Sequence, residues 1–581
     1  MSEMKLVDFD DGLTPQNLQT QGREVAARVV EAEGGKRLRL EFGKDPESRV
    51  SLLGPGKGWD VSDFVSIDLG VTNIGQETVA LHGWLNDKDW IDGFAVLEPG
   101  QTDTLGIVMK RTKQFPGMNG VPGGHVTLWE EADPAHLSRI SIAAPDATGS
   151  SVVEITSVRA VGQYTAPPEE GVRRELLPFV DRYGQYRHAE WPGKTHSDED
   201  LAAQKAREDQ DLDEHAGPGD WDRYGGWAGG PKLEATGHFR VAKHEGKWWL
   251  VDPEGRLFWS HGPDCIGLGQ ETKVEGREQY FESLDDRFRD AAGYDFGGQN
   301  LARKHGASWQ EVAVERAHRR LRSWGMNTVA NWSEERVYLA RRTPYFVAIH
   351  YGGPGVELGE FPYRDLKAFR QALRERLEQE KGKTAEDPWC IGYFVDNELR
   401  WPEKGCAAFA DDYYRICREE VKRLTPDTLY LGSRLHAAMS PFGGPEEVVR
   451  AAAKHCDVVS FNRYRFSPSD MTLPEGVDKP TIIGEFHWGA LDRGLLHPGL
   501  RSVANQRQRA ATYQHYLRQA LLHPNLVGAH WFQYWDQMVT GRFDGENYQV
   551  GLIDICDTPH WETIAACRAV GYEMYRIRSQ G

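Results

Sequence analysis

Two stretches of this 581-residue chain, Cys390-Ile-Gly-Tyr-Phe-Val-Asp-Asn-Glu398 and Thr481-Ile-Ile-Gly-Glu-Phe-His-Trp-Gly489, each read as a buried β-strand that finishes on a glutamate. An unpaired carboxylate in apolar surroundings is costly, so each glutamate is expected to face a cleft. Glu398 and Glu485 lie 87 residues apart, which makes them a candidate pair converging on one substrate. Glycosidic cleavage uses such a pair. One acid protonates the leaving oxygen, and one carboxylate attacks the anomeric carbon or activates water. The plainer alternative for Glu398 is a strand-end residue paired with a neighbouring cation such as Arg400.

The elements that would position the pair alternate in type. Strand-like runs at Leu257–Ser260, Asn327–Asn331, Tyr345–His350, Ile391–Val395, Leu429–Gly432, Val458–Asn462, Thr481–Gly484 and Val527–Phe532 are separated by helical patterns. Those patterns include Trp309–Trp324, Asp365–Lys381, Ala407–Leu424, Glu446–His455 and Val503–His523. The rhythm predicts an α/β fold, a (β/α)8 TIM barrel with its site at the C-terminal strand ends. Just past those ends stand His261, Asp264, Asn331, Trp332, His350, Tyr351, Asn397, Glu398, Arg434, His436, Asn462, Tyr464, Glu485, His487, Gln533, Trp535 and Asp536. Aromatic, amide and carboxylate groups together suit a sugar site. Asp264, His350, His436 and Glu485 are also types that bind divalent ions, but no tight ligand spacing supports a metal site.

Residues 1–165 read differently, with period-two alternation in Arg37–Phe42, Phe64–Leu69, Val79–Trp84 and Ser151–Thr156. This predicts an N-terminal all-β sandwich of carbohydrate-binding-module type, with Trp84, Trp90, Phe94 or Trp129 on any sugar-binding face. Residues 166–236 form a connector with one helix capped by Ser197, expected as a solvated helix or a lid. A hairpin of His238–Ala242 and Lys247–Val251 opens the barrel region, 237–581.

Composition narrows the partners. A formal net charge of −18 argues against nucleic acid. No apolar run is long enough for a membrane span, and the N-terminus lacks a basic start and apolar core. As written the chain is expected in the cytoplasm, or secreted if a native signal has been removed. Seven cysteines without CxxC spacing signal neither disulfides nor zinc, and buried thiols are expected. No cofactor is implied, and the oligomeric state is open.

Three longer motifs carry a resemblance: Gly392-Tyr-Phe-Val-Asp-Asn-Glu-Leu-Arg-Trp401, Gly484-Glu-Phe-His-Trp-Gly-Ala-Leu-Asp-Arg-Gly494, and Trp531-Phe-Gln-Tyr-Trp-Asp-Gln537 with Gly541-Arg-Phe-Asp-Gly-Glu-Asn-Tyr-Gln549. They resemble the β-agarases of glycoside hydrolase family 50, in the clan of retaining (β/α)8 glycosidases. The resemblance implies hydrolysis of β-1,4-galactosidic bonds of agarose or its oligosaccharides by double displacement, often from a chain end. It implies Glu398 as acid/base, Glu485 as nucleophile and Asn397 on the sugar 2-hydroxyl. Tyr464, Trp488, Trp531, Gln533, Asp536, Glu546 and Asn547 join the implied substrate surface, beside the strand-end residues Asp264, Asn331, His350, His436 and Trp535. A β-galactosidase, a hydrolase of another galactan (porphyran or carrageenan type) and a catalytically silent sugar-binding protein are the alternatives.

Overall fold

The computed structural model describes residues 2–10, 17–115, 117–147, 149–169, 171–291, 293–351, 365–402, 404–436 and 444–580. Its first third forms two antiparallel arrays. One is a six-stranded sheet of Glu3–Lys5, Val25–Ala32, Gly35–Phe42, Ser66–Asn73, Thr102–Val108 and Ser151–Val161. The other contains Leu18–Gln21, Arg49–Leu53, Val79–Leu85, Asp92–Leu97 and Arg139–Ala143. In Ser66–Asn73 every second residue is buried, as strand periodicity requires. Its Ile67, Leu69 and Val71 pack with Leu38 and Leu40 of the same sheet and with Leu52, Leu81 and Ile140 of the other, in one apolar cluster. Each such side chain contributes roughly 1.5–3 kcal/mol on burial.

The second array acquires a sixth member from far down the chain. Ser502 and Val503 pair in parallel with Gly93 and Phe94. The Gln508 amide then takes over the edge, accepting from Val96 N at 2.8 Å and donating to Asp103 at 2.9 Å. Arg501 forms a buried ion pair with Asp92. Lys110 donates to the carbonyls of Trp90 and Leu500 at 2.8 and 2.7 Å. Phe94 is stacked on Phe466 with ring centroids 4.7 Å apart, so it belongs to this seam and not to a sugar-binding face. Trp129 is 57% exposed, with Trp90 against its edge.

The remainder is α/β. One parallel sheet runs Ser260–Pro263, Leu526–Trp531, Thr481–Phe486, Val459–Asn462, Leu435–His436; another runs Tyr345–Ile349, Cys390–Val395, Leu429–Tyr430. Residues 327–331 join them, with Ala330 N donating to Pro263 O at 3.1 Å and Val329 bridging Tyr345 in parallel. On the far side Ser460 Oγ donates to Leu431 O at 2.6 Å and accepts from Arg434 N at 2.9 Å. Amphipathic helices Leu366–Glu378, Ala407–Leu424, Glu446–His455 and Gln506–Leu522 follow the strands.

Four expectations shift. Leu257–Phe258 pairs antiparallel with Lys247–Val251, so the first parallel strand starts at Ser260. Asn327–Asn331 makes a single bridge and no named strand, because the Asn327 side chain occupies ladder positions, accepting from His261 N and donating to Trp259 O. Leu429–Gly432 shortens to Leu429–Tyr430, and a second short strand, Leu435–His436, follows after Gly432 and Arg434 turn to positive φ. Thr481–Phe486 runs past Gly484, which places Glu485 inside the strand.

The connector helix, Asp198–Glu214, starts with a capping box from Ser197 and Asp200. It is docked, not merely solvated. Glu208 is buried against Arg320 and Arg316, and Asp211 pairs with Arg568. No helix of the described residues is long and apolar enough to cross a membrane.

Candidate active site

Cys390–Val395 delivers Asp396, Asn397 and Glu398 through a strained turn. Asp396 and Glu398 have φ of 63° and 51°, and Cys265, Trp332 and Arg434, also just beyond strand positions, share the left-handed region. Such conformations cost on the order of 1–3 kcal/mol each and persist where neighbours over-determine them. Here the Asp396 carboxylate accepts from Tyr351 and Tyr413 hydroxyls at 2.7 and 2.8 Å, while Glu398 N donates to Ser433 O at 3.0 Å.

Arg434 is the hub. Its fully buried guanidinium donates through Nε to Asn397 Oδ1 at 2.9 Å. Through Nη2 it donates to Glu485 Oε1 at 2.7 Å, Gly484 O at 3.0 Å and Asp264 Oδ2 at 3.4 Å. Tyr464 donates to the other Glu485 oxygen. Both oxygens of Glu485 therefore accept, the pattern a carboxylate satisfies. Asn462 Nδ2 donates to Glu398 Oε1 at 2.8 Å and to Asn397 Oδ1 at 3.2 Å.

The two acids have different surroundings. Burial, and then the Glu485 charge, push the Glu398 carboxyl up to about 8, against the opposing influence of Asn462 and Arg434. Asp264 is raised well above the ordinary range by burial, which Arg434 opposes and Glu485 reinforces. Glu546, held by Gln537 at 2.9 Å and Arg542 at 2.7 Å, is raised to about 7 by burial.

Around Arg434, buried polar atoms have no hydrogen-bond partner among the described residues: Asp264 Oδ1, both amide atoms of Asn331, both ring nitrogens of His350, Arg434 Nη1 and Asn462 Oδ1. Trp332 stacks on His350 at 4.4 Å and lies 5.8 Å from the Arg434 guanidinium. Buried donors and acceptors are normally paired, so this set suits a ligand dense in hydroxyls.

No family model matches the chain. A curated relative, β-agarase B of Vibrio sp. (strain JT0107), is 28% identical over 84% of this chain and 65% of its own length. β-Agarase A of the same strain is 26% identical over 59% of this chain and 46% of its own length. The chain thus spans less than two thirds of the length of either. A solved exo-β-agarase superimposes with a TM-score of 0.76 at 25% identity, covering 99% of this chain and 100% of that one. The agarase AgWH50C gives 0.74 at 27% identity over 99% of both, and PfGH50B gives 0.73 at 27% over 97% of this chain and 99% of its own. In sequence and in fold the chain is thus similar to these proteins, β-agarases among them.

Within this chain, Glu398, Glu485, Asn397, Tyr464 and Asp264 meet around Arg434, with Asn331, His350 and His436 beside them. Burial lowers the His436 imidazole, and Glu485 is near enough to oppose that shift. Glu546 lies close enough to raise Glu398. Gln533 donates to Trp535 O at 3.1 Å and lines a cleft of about 880 Å³ with Cys265 and Arg542.

Five expected substrate contacts are placed elsewhere. Trp488 and Trp531 are fully buried, their indole N–H groups donating to Arg509 O and Val550 O, with Trp531 packed on Phe486, Trp488 and Tyr513. Trp535 is likewise internal, donating to Gly267 O at 2.9 Å. Asn547 spends its amide on Gly120 and Val539, a structural clamp. Asp536 accepts from Gly551 N, bonds His560 at 2.7 Å, and borders a separate cavity of about 290 Å³. The aromatic residues fill the core because apolar area outweighs one satisfiable N–H. Arg434, Asn462 and Trp332 join the site beyond the substrate surface that the resemblance implies, and their alignment with the other strand-end polar groups is the signal the sequence offers for them. All seven cysteines are free thiols, buried except for half-buried Cys265, and among the described residues no three His, Cys, Asp or Glu side chains gather as metal ligands.

Proposed function

We propose that this chain is a retaining glycoside hydrolase that cleaves β-1,4-galactosidic bonds of agarose or agaro-oligosaccharides, working from a chain end. The observation that carries the reading is the asymmetry of the two acids. Glu485 is gripped as an acceptor by Arg434 and Tyr464, whereas Glu398 is held up to about 8 and so carries a proton at neutral pH. Glu485 attacks the anomeric carbon as the bond to the leaving oxygen breaks, and that oxygen takes the proton of Glu398. Glu398 then removes a proton from water, whose oxygen displaces Glu485 and regenerates both groups. Asn397, fixed by Arg434 and Asn462, is assigned to the sugar 2-hydroxyl.

The frame for this chemistry is a (β/α)8 barrel over 237–581, preceded by a β-sandwich over 1–165 and a connector over 166–236. Support comes from the parallel segments, whose hydrogen bonds lead from Ser260–Pro263 through residues 327–331 and onward back to Leu526–Trp531. The agarase names of the similar proteins support the substrate, and the exo-β-agarase among them supports terminal action.

The test is incubation with agarose, agarose-derived oligosaccharides, porphyran, carrageenan and aryl galactosides. Mass spectrometry reads product size, and early-time NMR reads the anomer. Short agarose-derived products with the β anomer formed first are expected. Initial α-anomer release would overturn retention, exclusive turnover of aryl galactosides would indicate a β-galactosidase, and no new reducing ends from any substrate would remove the enzyme reading.

A further inference from the structure

Phe543 is 92% exposed, the most exposed of the large apolar side chains among the described residues. Its presentation is rigid. The turn Arg542–Gly545 is closed by Gly545 N donating to Arg542 O at 3.0 Å and by Arg542 N donating to Glu546 O at 2.9 Å. Arg542 binds Asp544 and Glu546, and Asn119 N donates to Gly545 O at 2.8 Å, bracing the turn from the N-terminal part of the chain. At Gly541, φ is 85° and an added Cβ would stand 2.3 Å from Gly117 O, so the close approach of that brace depends on glycine.

Arg542 and Phe543 of the turn line the cleft of about 880 Å³, near the top of the usual range of about 300–1,000 Å³ for small-molecule sites. Cys265 and Gln533 line this cleft, and Cys265 follows Asp264 directly and lies close enough to Glu485 and Arg542 for their charges to act on its thiol. Trp309 lines it as well. The cleft thus borders the site through Cys265, whose neighbour Asp264 is bonded to Arg434, and it carries the exposed Phe543 ring on its lining. A pyranose presents a face of C–H groups that covers such a ring, and a pre-ordered ring loses little freedom on binding. Glu271, Asp295 and Glu334 share the lining with Lys273, Arg277, Arg336 and Arg542, so it is polar and carries both signs of charge.

We propose that Phe543 is a stacking platform for a galactan chain, gripping it beyond the acid pair so that long chains are preferred over short ones. The proposal rests on the glycosidase reading of Glu398 and Glu485.

The experiment compares wild type, Phe543→Ala and Phe543→Trp on an agarose-derived hexasaccharide and on an aryl galactoside. The ratio of kcat/KM on the hexasaccharide to that on the aryl galactoside should fall about tenfold in Phe543→Ala, mainly through KM, and be restored by Phe543→Trp. An unchanged ratio overturns the platform. Calorimetric titration of the hexasaccharide into Glu485→Gln and Glu485→Gln/Phe543→Ala proteins separates the two claims. If wild type cleaves nothing but binding still weakens with Phe543→Ala, the platform stands and the hydrolase reading fails; if the hexasaccharide does not bind, both fail.

Discussion

Arg434 Nη2 donates to Glu485 at 2.7 Å while Nε of the same guanidinium donates to Asn397 at 2.9 Å, so one planar group sets the spacing between the ends of two separate strands. The fork geometry of arginine makes this possible; a lysine ammonium lacks it. Arg434→Lys should therefore retain charge and lose registration, lowering kcat by about a hundredfold, the scale of a small misplacement. Arg434→Met should also destabilise by about 3–5 kcal/mol, because Asp264 and Glu485 are left without their buried cation. Steady-state kinetics and thermal melts of both variants check this, and a Lys variant with normal kcat would contradict it.

The raised Glu398 carboxyl sets a pH limit. The proposed mechanism needs this acid protonated for its first step, so kcat/KM should decline as pH rises through about 8. Asn462 opposes the shift, so Asn462→Ala should move this alkaline limb upward while reducing the rate. A limb unmoved by the substitution would detach Asn462 from Glu398.

The same group couples to stability. Its folded value of about 8 exceeds the ordinary 4.5, so between these pH values the folded state keeps a proton that the unfolded chain releases. This contribution is complete in acid and fades as pH rises through the window. Glu398→Gln removes it, so the melting temperature of the variant relative to wild type should climb between about pH 5 and about pH 9. Scanning calorimetry at the two pH values gives the sign directly.

Tyr464 offers a narrower substitution. Tyr464→Phe deletes only the hydroxyl that donates to Glu485, and hydrogen bonds to charged groups contribute about 1.5–3 kcal/mol. A fall in kcat of about tenfold or more with an intact fold is expected. Wild-type turnover would show that Arg434 alone positions the carboxylate.

Trp531 should behave as core. Trp531→Ala should lower stability by about 3–5 kcal/mol, and protein that remains folded should keep its KM. A raised KM with unchanged melting would return this indole to the substrate surface.

Strand alternation made much of the framework legible. The helices Ala407–Leu424 and Glu446–His455 have the boundaries their periodicity indicates, and Ser197 caps Asp198–Glu214. Local patterns worked there because helix caps and amphipathic faces are short-range properties. They worked less well at 257–260 and 327–331, where cross-strand partners and the Asn327 side chain decide the pairing. Trp531 and Trp488 show the same limit within the site: residue type marks a ring that can stack on sugar, but burial decides whether it does.

The sequence by itself determined that Glu398 and Glu485 end apolar runs, because a carboxylate at such a place demands a cleft or a partner wherever the chain goes. The tertiary structure decided what each carboxylate meets. Arg434 and Tyr464 hold Glu485, Asn462 touches Glu398, and burial raises the proton affinity of Glu398. Those contacts join residues from 21 to 64 positions apart, and electrostatics depends on distance in space and on solvent exclusion, neither of which is written in residue order.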